Sequence, residues 1–171
     1  MKNKIPPERR SPKSQDLDKI GNIRHSLAHL LAMAVLKKFP KAQLGIGPVI
    51  EDGFYYDIQL KKREIRDKRS AGISEEDLPE IEGEMRRLIK ENLIFKGEKV
   101  TPQKARRIFK DQLFKLDLIK EFSGNKKQLT VYSTTPRDSV SQKILHTVYD
   151  IPHTIFTDLC KGGHAQSTSE I

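Results

Sequence analysis

Two histidines, His25 and His29, stand four residues apart in the stretch RHSLAHLLA that begins at Arg24. On a helix that spacing is about one turn, so both imidazoles project from one face. Far along the chain, Asp158-Leu159-Cys160-Lys161-Gly162-Gly163-His164 holds the only cysteine and a third imidazole on a glycine-rich segment. Neutral imidazoles and a thiolate suit a tetrahedral divalent ion such as zinc, so His25, His29, Cys160 and His164 are candidate metal ligands. With all four bound the site would be closed and structural. With one ligand free, a metal-held water could be activated for hydrolysis. The competing reading is two separate features, a histidine pair flanking a core and a buried thiol that never meets it. The HxxxH spacing here lacks the glutamate of the metalloprotease motif. His146 and His153 have no such company and read as ordinary surface or loop histidines.

These groups need elements to hold them. Ile20, Ile23, Leu27, Leu30, Leu31, Ala34 and Val35 follow helical spacing, which predicts a helix buried along one stripe with His25 and His29 on its flank. Asp16 or Asp18 would cap it, and Pro40 should stop it near Phe39. Ser26, Ala28 and Ala32 would let a ligand come close to the helix. In Leu44–Leu60, the turn signal Glu51-Asp52-Gly53 predicts a hairpin, with one strand to Ile50 and another from Phe54 to Leu60. Tyr55 and Tyr56 then point to opposite faces.

Residues 61–76 read as a charged surface loop. A helix capped by Ser74 or Asp77 follows to about Asn92, with Ile81, Met85, Leu88 and Ile89 inward. Phe95–Val100 reads as a strand, and Thr101-Pro102 opens a helix to about Lys110. Lys104, Arg106, Arg107 and Lys110 on it form either a solvated face or a phosphate patch. Lys115 lies within the apolar run Leu113–Ile119. A lysine in that setting usually snorkels to the surface; occasionally it is desolvated and serves chemistry. Gln128–Ser133 and Thr154–Leu159 read as strands, the second leading into the Cys/His segment, and residues 137–150 as a helix or structured insertion. Helices mixed with hairpin strands predict an α+β fold, an antiparallel sheet packed against helices.

The chain has 171 residues, enough for one core with an arm attached. Residues 1–15 are polar, basic and proline-bearing, which predicts a disordered arm before a single domain over 16–171. No apolar run reaches the length of a membrane span, and a lone cysteine excludes an internal disulfide. Both point to the cytoplasm. A formal net charge of +9 points to a polyanionic partner, nucleic acid first. With no paired CxxC and no aromatic RNP pattern, such contacts should fall mainly on phosphates.

Four blocks, RHSLAHLLAMAV, IGPVIEDGFYYDI, LFKLDLI and DLCKGGHAQSTSEI, resemble the editing domain of bacterial threonyl-tRNA synthetase. The resemblance runs in order over about residues 18–171. That domain shares its fold with the editing domain of alanyl-tRNA synthetase and its free-standing relatives. The resemblance implies a hydrolase that removes serine mischarged onto threonine tRNA, with the acceptor end and its seryl ester as substrate. The need is physical: serine merely lacks one methyl of threonine, a difference worth about 1–3 kcal/mol, so a second sieve is required.

Carried over by position, the resemblance implies that His25 and Lys115 position or activate the attacking water. Asp158 and Cys160 would bind the seryl amine and side chain or orient that water. His29 and His164 would complete the wall, and Tyr56 would hold the terminal adenosine. The alanyl-type domains bind zinc through the equivalent histidines and cysteine, whereas the threonyl-type ones work without an obligatory metal. The implication here is no required cofactor, with zinc permitted. Departures are the loop CKGGH, where the family commonly carries an arginine and then a proline, and a longer connection at residues 134–152. With no aminoacylation core in the sequence, no ligase activity is expected of this chain alone, whether it is a synthetase fragment or a free-standing editor. Rival readings are a catalytically silent tRNA-binding module, a metal-stabilised structural domain and an alanyl-type zinc-dependent deacylase.

Overall fold

In the computed structural model, which describes residues 14–61, 72–137 and 155–171, helix α1 spans Ser14–Lys38. It begins before both Asp16 and Asp18, and ends where Pro40 bars helical geometry at Phe39. Its inner stripe of Ala28, Leu30, Ala32, Met33, Ala34 and Val35 is buried. His29 belongs to that stripe rather than to its flank, with 1% of its surface exposed, while His25 is half-buried. Ile20, expected in the stripe, is exposed. Ser26, Ala28 and Ala32 are wholly covered, so their small size admits the chain's own neighbouring segments rather than a ligand.

The predicted hairpin forms, but its ladder is interrupted. Strand β1 (Gln43–Leu44) pairs with β4 (Ile58–Gln59), and β2 (Val49–Ile50) with β3 (Gly53–Phe54), both antiparallel. Pro48 has no N–H to offer between them. Irregular bonds from Gly45 N–H to Asp57 O, Asp57 N–H to Ile46 O and Tyr55 N–H to Pro48 O bridge the gap. Tyr55 is exposed and Tyr56 turns inward, as strand alternation requires. Arg24 of α1 donates to the carbonyls of Ile50 and Glu51, tying the turn to the helix.

The main sheet has the order β5–β6–β7, all antiparallel, from Leu93–Val100, Leu129–Pro136 and Phe156–Leu159. Its register aligns Gly97, Tyr132 and Asp158 in one row, and Phe95, Thr134 and Phe156 in another on the same face. That face meets α1 and α2 (Leu78–Lys90), where Leu93 and Phe156 pack with Leu30, Met33 and Leu88. On the other face Val100, Leu129, Val131 and Leu159 pack with Ala105 and Phe109 of the α3 region (Pro102–Ile108) and Ile119 of α4 (Leu113–Gly124). This is the predicted α+β arrangement, an antiparallel sheet packed against helices.

Helix α4 was not legible from the apolar run at 113–119, which carries no periodic polar face. Two glutamines position it. Gln43 Oε1 accepts the Leu113 N–H at 2.8 Å, capping α4 from a distant strand, and its amide donates to Asp111 O. Gln112 reciprocates, accepting the Leu44 N–H at 2.8 Å and donating to Ala42 O. On the far side, Lys37 pairs with Glu84 at 2.6 Å and Lys38 reaches Asp77 and Glu80, fastening α1 to α2. Among the described residues no helix is long and apolar enough to cross a membrane. The arm expected at 1–15 lies outside the described residues except for Ser14 and Gln15, which open α1. The helix or insertion expected at 137–150, together with His146 and His153, lies outside them beyond Arg137.

Gln112→Ala should cost about 1–3 kcal/mol, because it leaves the Leu44 N–H and Ala42 carbonyl without partners near the interior. Urea unfolding of the variant beside the parent checks this, with a lower midpoint and an unchanged slope expected.

Candidate active site

The sheet face beneath α1 carries the site. His25, Ser26 and His29 descend from the helix, while Cys160 and His164 arrive on the segment after β7. The glycines between them make this convergence possible. Gly162 and Gly163 take φ values of +96° and +82°, a region closed to proline and strained for other residues. Their carbonyls lie 2.9 and 3.2 Å from His25 Nδ1. Carbonyls only accept, so His25 carries its proton on Nδ1 and, in the neutral ring, presents a lone pair at Nε2.

The His164 ring lies between His25, stacked at 4.0 Å between centroids, and Phe95, stacked at 5.2 Å. Tyr132 leans against it at 4.5 Å. Gly97, opposite Tyr132 in the register, leaves the room: a Cβ there would lie 2.6 Å from the tyrosine ring. His164 Nε2 is 3.3 Å from Cys160 Sγ, and Nδ1 is 3.4 Å from Ser26 Oγ.

Below this layer lies a buried ionic group. Lys115, in the first turn of α4, is 1% exposed and places Nζ 2.5 Å from Asp158 Oδ1. The lysine is therefore desolvated rather than snorkelling. Tyr56 donates its hydroxyl proton to Asp158 Oδ2 at 2.5 Å and accepts from Lys115 Nζ at 3.1 Å. The Leu159 N–H donates to Asp158 Oδ1 at 2.7 Å. His29 Nε2 is 3.3 Å from Asp158 Oδ2 but out of line for a hydrogen bond, and neither of its nitrogens has a partner. Tyr56 thus faces Asp158 and Lys115 in the floor.

Environment sets the protonation states. Burial, then the His25 and Lys115 charges, hold the His29 pKa well below its ordinary value. Burial, then His29 and His25, hold His164 down to about 2 against a weaker pull from Asp158. Burial and the Asp158 charge push the Cys160 thiol up to about 12. At neutral pH the sulfur then keeps its proton, and Cys160 is a neutral thiol. Burial, then Asp158, raise the Tyr56 pKa well above the usual phenol value.

All seven residues singled out from the sequence meet in this region. Their contacts with one another give an upper layer of His25, Cys160 and His164 and a floor of Asp158, Lys115 and Tyr56, with His29 between them, its ring centroid 4.3 Å from that of His164 and 5.1 Å from that of His25. Sequence reasoning missed Ser26 as a polar contact, Phe95, Gly97 and Tyr132. Only the pairing of β5 with β6 could have drawn attention to Tyr132, since a glycine opposite a tyrosine is invisible until the register is known.

One nitrogen from each of His25, His29 and His164 and the Cys160 sulfur lie within 4.8 Å of one another. Tetrahedral zinc, with bonds of about 2.0–2.3 Å, needs donors about 3.3–3.8 Å apart, so the widest separation would close by about 1 Å. The carbonyl on His25 Nδ1 is the kind of partner a metal-ligating imidazole has, and His29 has free nitrogens. The set fits zinc.

Both depressed imidazoles make stability fall with acid. Below about pH 6.5 the unfolded chain takes up protons at His29 and His164 that the folded chain refuses. Their contribution is complete above that pH and is lost as pH falls, at up to about 1.4 kcal/mol per pH unit for each. Unfolding free energy measured between about pH 7 and pH 5 should drop accordingly, and His164→Asn should flatten the slope by one proton's worth.

No family model matches the chain. Threonine--tRNA ligases do: those of Streptococcus sanguinis (strain SK36), Streptococcus gordonii and Streptococcus pneumoniae (strain Hungary19A-6) are each 40% identical to it over 154 residues. The match takes in 90% of this chain and 20% of each ligase, so the chain spans about a fifth of the length of these curated relatives. It is therefore related to one segment of threonine--tRNA ligase.

Proposed function

We propose that the chain is an aminoacyl-ester hydrolase that removes serine from mischarged threonine tRNA, acting at the acceptor end. The observation that carries this reading is His25. Its Nδ1 proton is committed to two backbone carbonyls, which leaves Nε2 as a lone pair in the accessible layer. That nitrogen takes a proton from water as the water attacks the ester carbonyl, and returns it to the ribose oxygen as the ester C–O bond breaks. Cys160 keeps its own proton and donates a hydrogen bond instead of forming a thioester, consistent with its raised pKa. Charge gathering on the carbonyl oxygen is also favoured by the Lys115 ammonium beneath, which acts through the field rather than by contact.

The stiff rings of His164 and Tyr132, 4.5 Å apart, would suit rejection of one additional methyl on the threonyl ester. His29, Asp158 and Tyr56 serve the floor. Asp158 holds Lys115, Tyr56 locks both, and neutral His29 fills the space between them and His25. The leaving 3′-terminal ribose and the tRNA phosphates meet a protein of net charge +9, with Lys161 exposed at the rim of the Cys/His segment. The similarity to threonine--tRNA ligases supports tRNA as the partner.

A second reading is favoured by the four-donor cluster: a zinc-loaded form held by His25, His29, Cys160 and His164. With one of the four donors left free, a bound zinc would polarise the ester or lower the pKa of a water; with all four bound it would be structural. The metal-free reading predicts unchanged hydrolysis after exhaustive chelation, with metal content followed by mass spectrometry; activity that disappears and returns with zinc would instead establish the second.

Single-turnover hydrolysis of seryl-tRNA(Thr), with threonyl-tRNA(Thr) as control, tests the main proposal. Fast loss of serine with threonine spared is expected. His25→Ala should lower the rate by about 10²–10⁴ while leaving tRNA binding near the parent value. Equal, spontaneous rates for both esters would leave a tRNA-binding module in place of an editor.

A further inference from the structure

Ser26 ties the Cys/His segment to α1, yet the proposed hydrolysis gives it no part. It is wholly buried. Its Oγ accepts the Ala165 N–H at 3.0 Å and lies 3.4 Å from His164 Nδ1. At the opposite edge of the same ring, Nε2 lies 3.3 Å from Cys160 Sγ. A half-turn of the ring would keep its plane but set carbons against Ser26 and Cys160, so these two polar contacts fix its orientation.

A neutral imidazole has one N–H to divide between two nitrogens. A serine hydroxyl has one proton to give. Ser26 Oγ already accepts from Ala165, and among the described residues the acceptor set against its proton is His164 Nδ1. We propose that Ser26 is a positioning residue whose hydroxyl donates to His164 Nδ1, fixing the tautomer that carries its proton on Nε2 toward Cys160.

The consequence reaches the pocket. Cys160 Sγ then accepts from His164 Nε2–H. With that nitrogen donating to the sulfur, the thiol's own proton is left to point at the ester. In the opposite tautomer a bare Nε2 would take the thiol proton, and the pocket would lose that donor. Ser26 thereby keeps the site polarised, with a donor at Cys160 and an acceptor at His25 Nε2.

The test is the ¹⁵N spectrum of histidine-labelled protein in its metal-free form. His164 should show a pyridine-like Nδ1 and a pyrrole-like Nε2. The reverse pattern in the parent protein overturns the assignment without any variant. Ser26→Ala should move both signals toward a tautomer mixture, and Ser26→Thr, which keeps the hydroxyl, should restore the parent pattern. Parent-like signals in a folded Ser26→Ala overturn it as well. In hydrolysis of seryl-tRNA(Thr), Ser26→Ala should lower kcat about ten-fold, the worth of one hydrogen bond, with KM little changed. This kinetic arm rests on the hydrolytic reading proposed above whereas the tautomer does not, so the two can fail separately.

Discussion

A lysine ammonium and a carboxylate 2.5 Å apart, both nearly removed from water, are what the site is built on. Burying either alone would be prohibitive, and their attraction offsets the desolvation only because further hydrogen bonds complete the set. The Leu159 N–H and the Tyr56 hydroxyl supply those bonds to Asp158. The pair thereby joins three parts of the chain: α4 through Lys115, the inner sheet through Asp158, and the β1–β4 hairpin through Tyr56. Breaking it would strand a buried charge, which typically costs about 3–5 kcal/mol.

Its field also organises the groups above it. The Lys115 charge adds to burial in keeping His29 neutral, while the Asp158 charge adds to burial in keeping the protons on Tyr56 and Cys160. A neutral His164 can stack on His25 at 4.0 Å where two imidazolium ions would repel, so that contact depends on the burial that holds His164 down. His29, His164 and the Cys160 thiol are therefore held uncharged. Neutral imidazoles keep lone pairs that a divalent metal could use.

The Gln43–Gln112 exchange and the glycine pair serve this electrostatic arrangement from a distance. The first fixes where α4 begins, and so where the Lys115 side chain enters. The second turns two carbonyls toward His25 and so chooses which of its nitrogens is bare. Neither belongs to the buried ion pair itself. Both decide how the groups around it are held.

Much of this was present in the residues taken one after another. The four-residue spacing of His25 and His29 put them on one helical face, Pro40 marked the end of α1, and Asp52-Gly53 marked the hairpin turn. The Cys160 and His164 spacing identified the partner segment, and the resemblance to a threonyl-tRNA synthetase module agrees with the relatives found. Such features are local, because backbone sterics and periodicity act over a few residues. The tertiary structure alone decided that Lys115 is buried against Asp158, that Tyr132 lies over Gly97, and that Ser26 meets a histidine 138 positions away. Those contacts depend on strand register and on how α1 crosses the sheet, which are set by the packing of the whole core and leave no periodic trace in any one stretch of sequence.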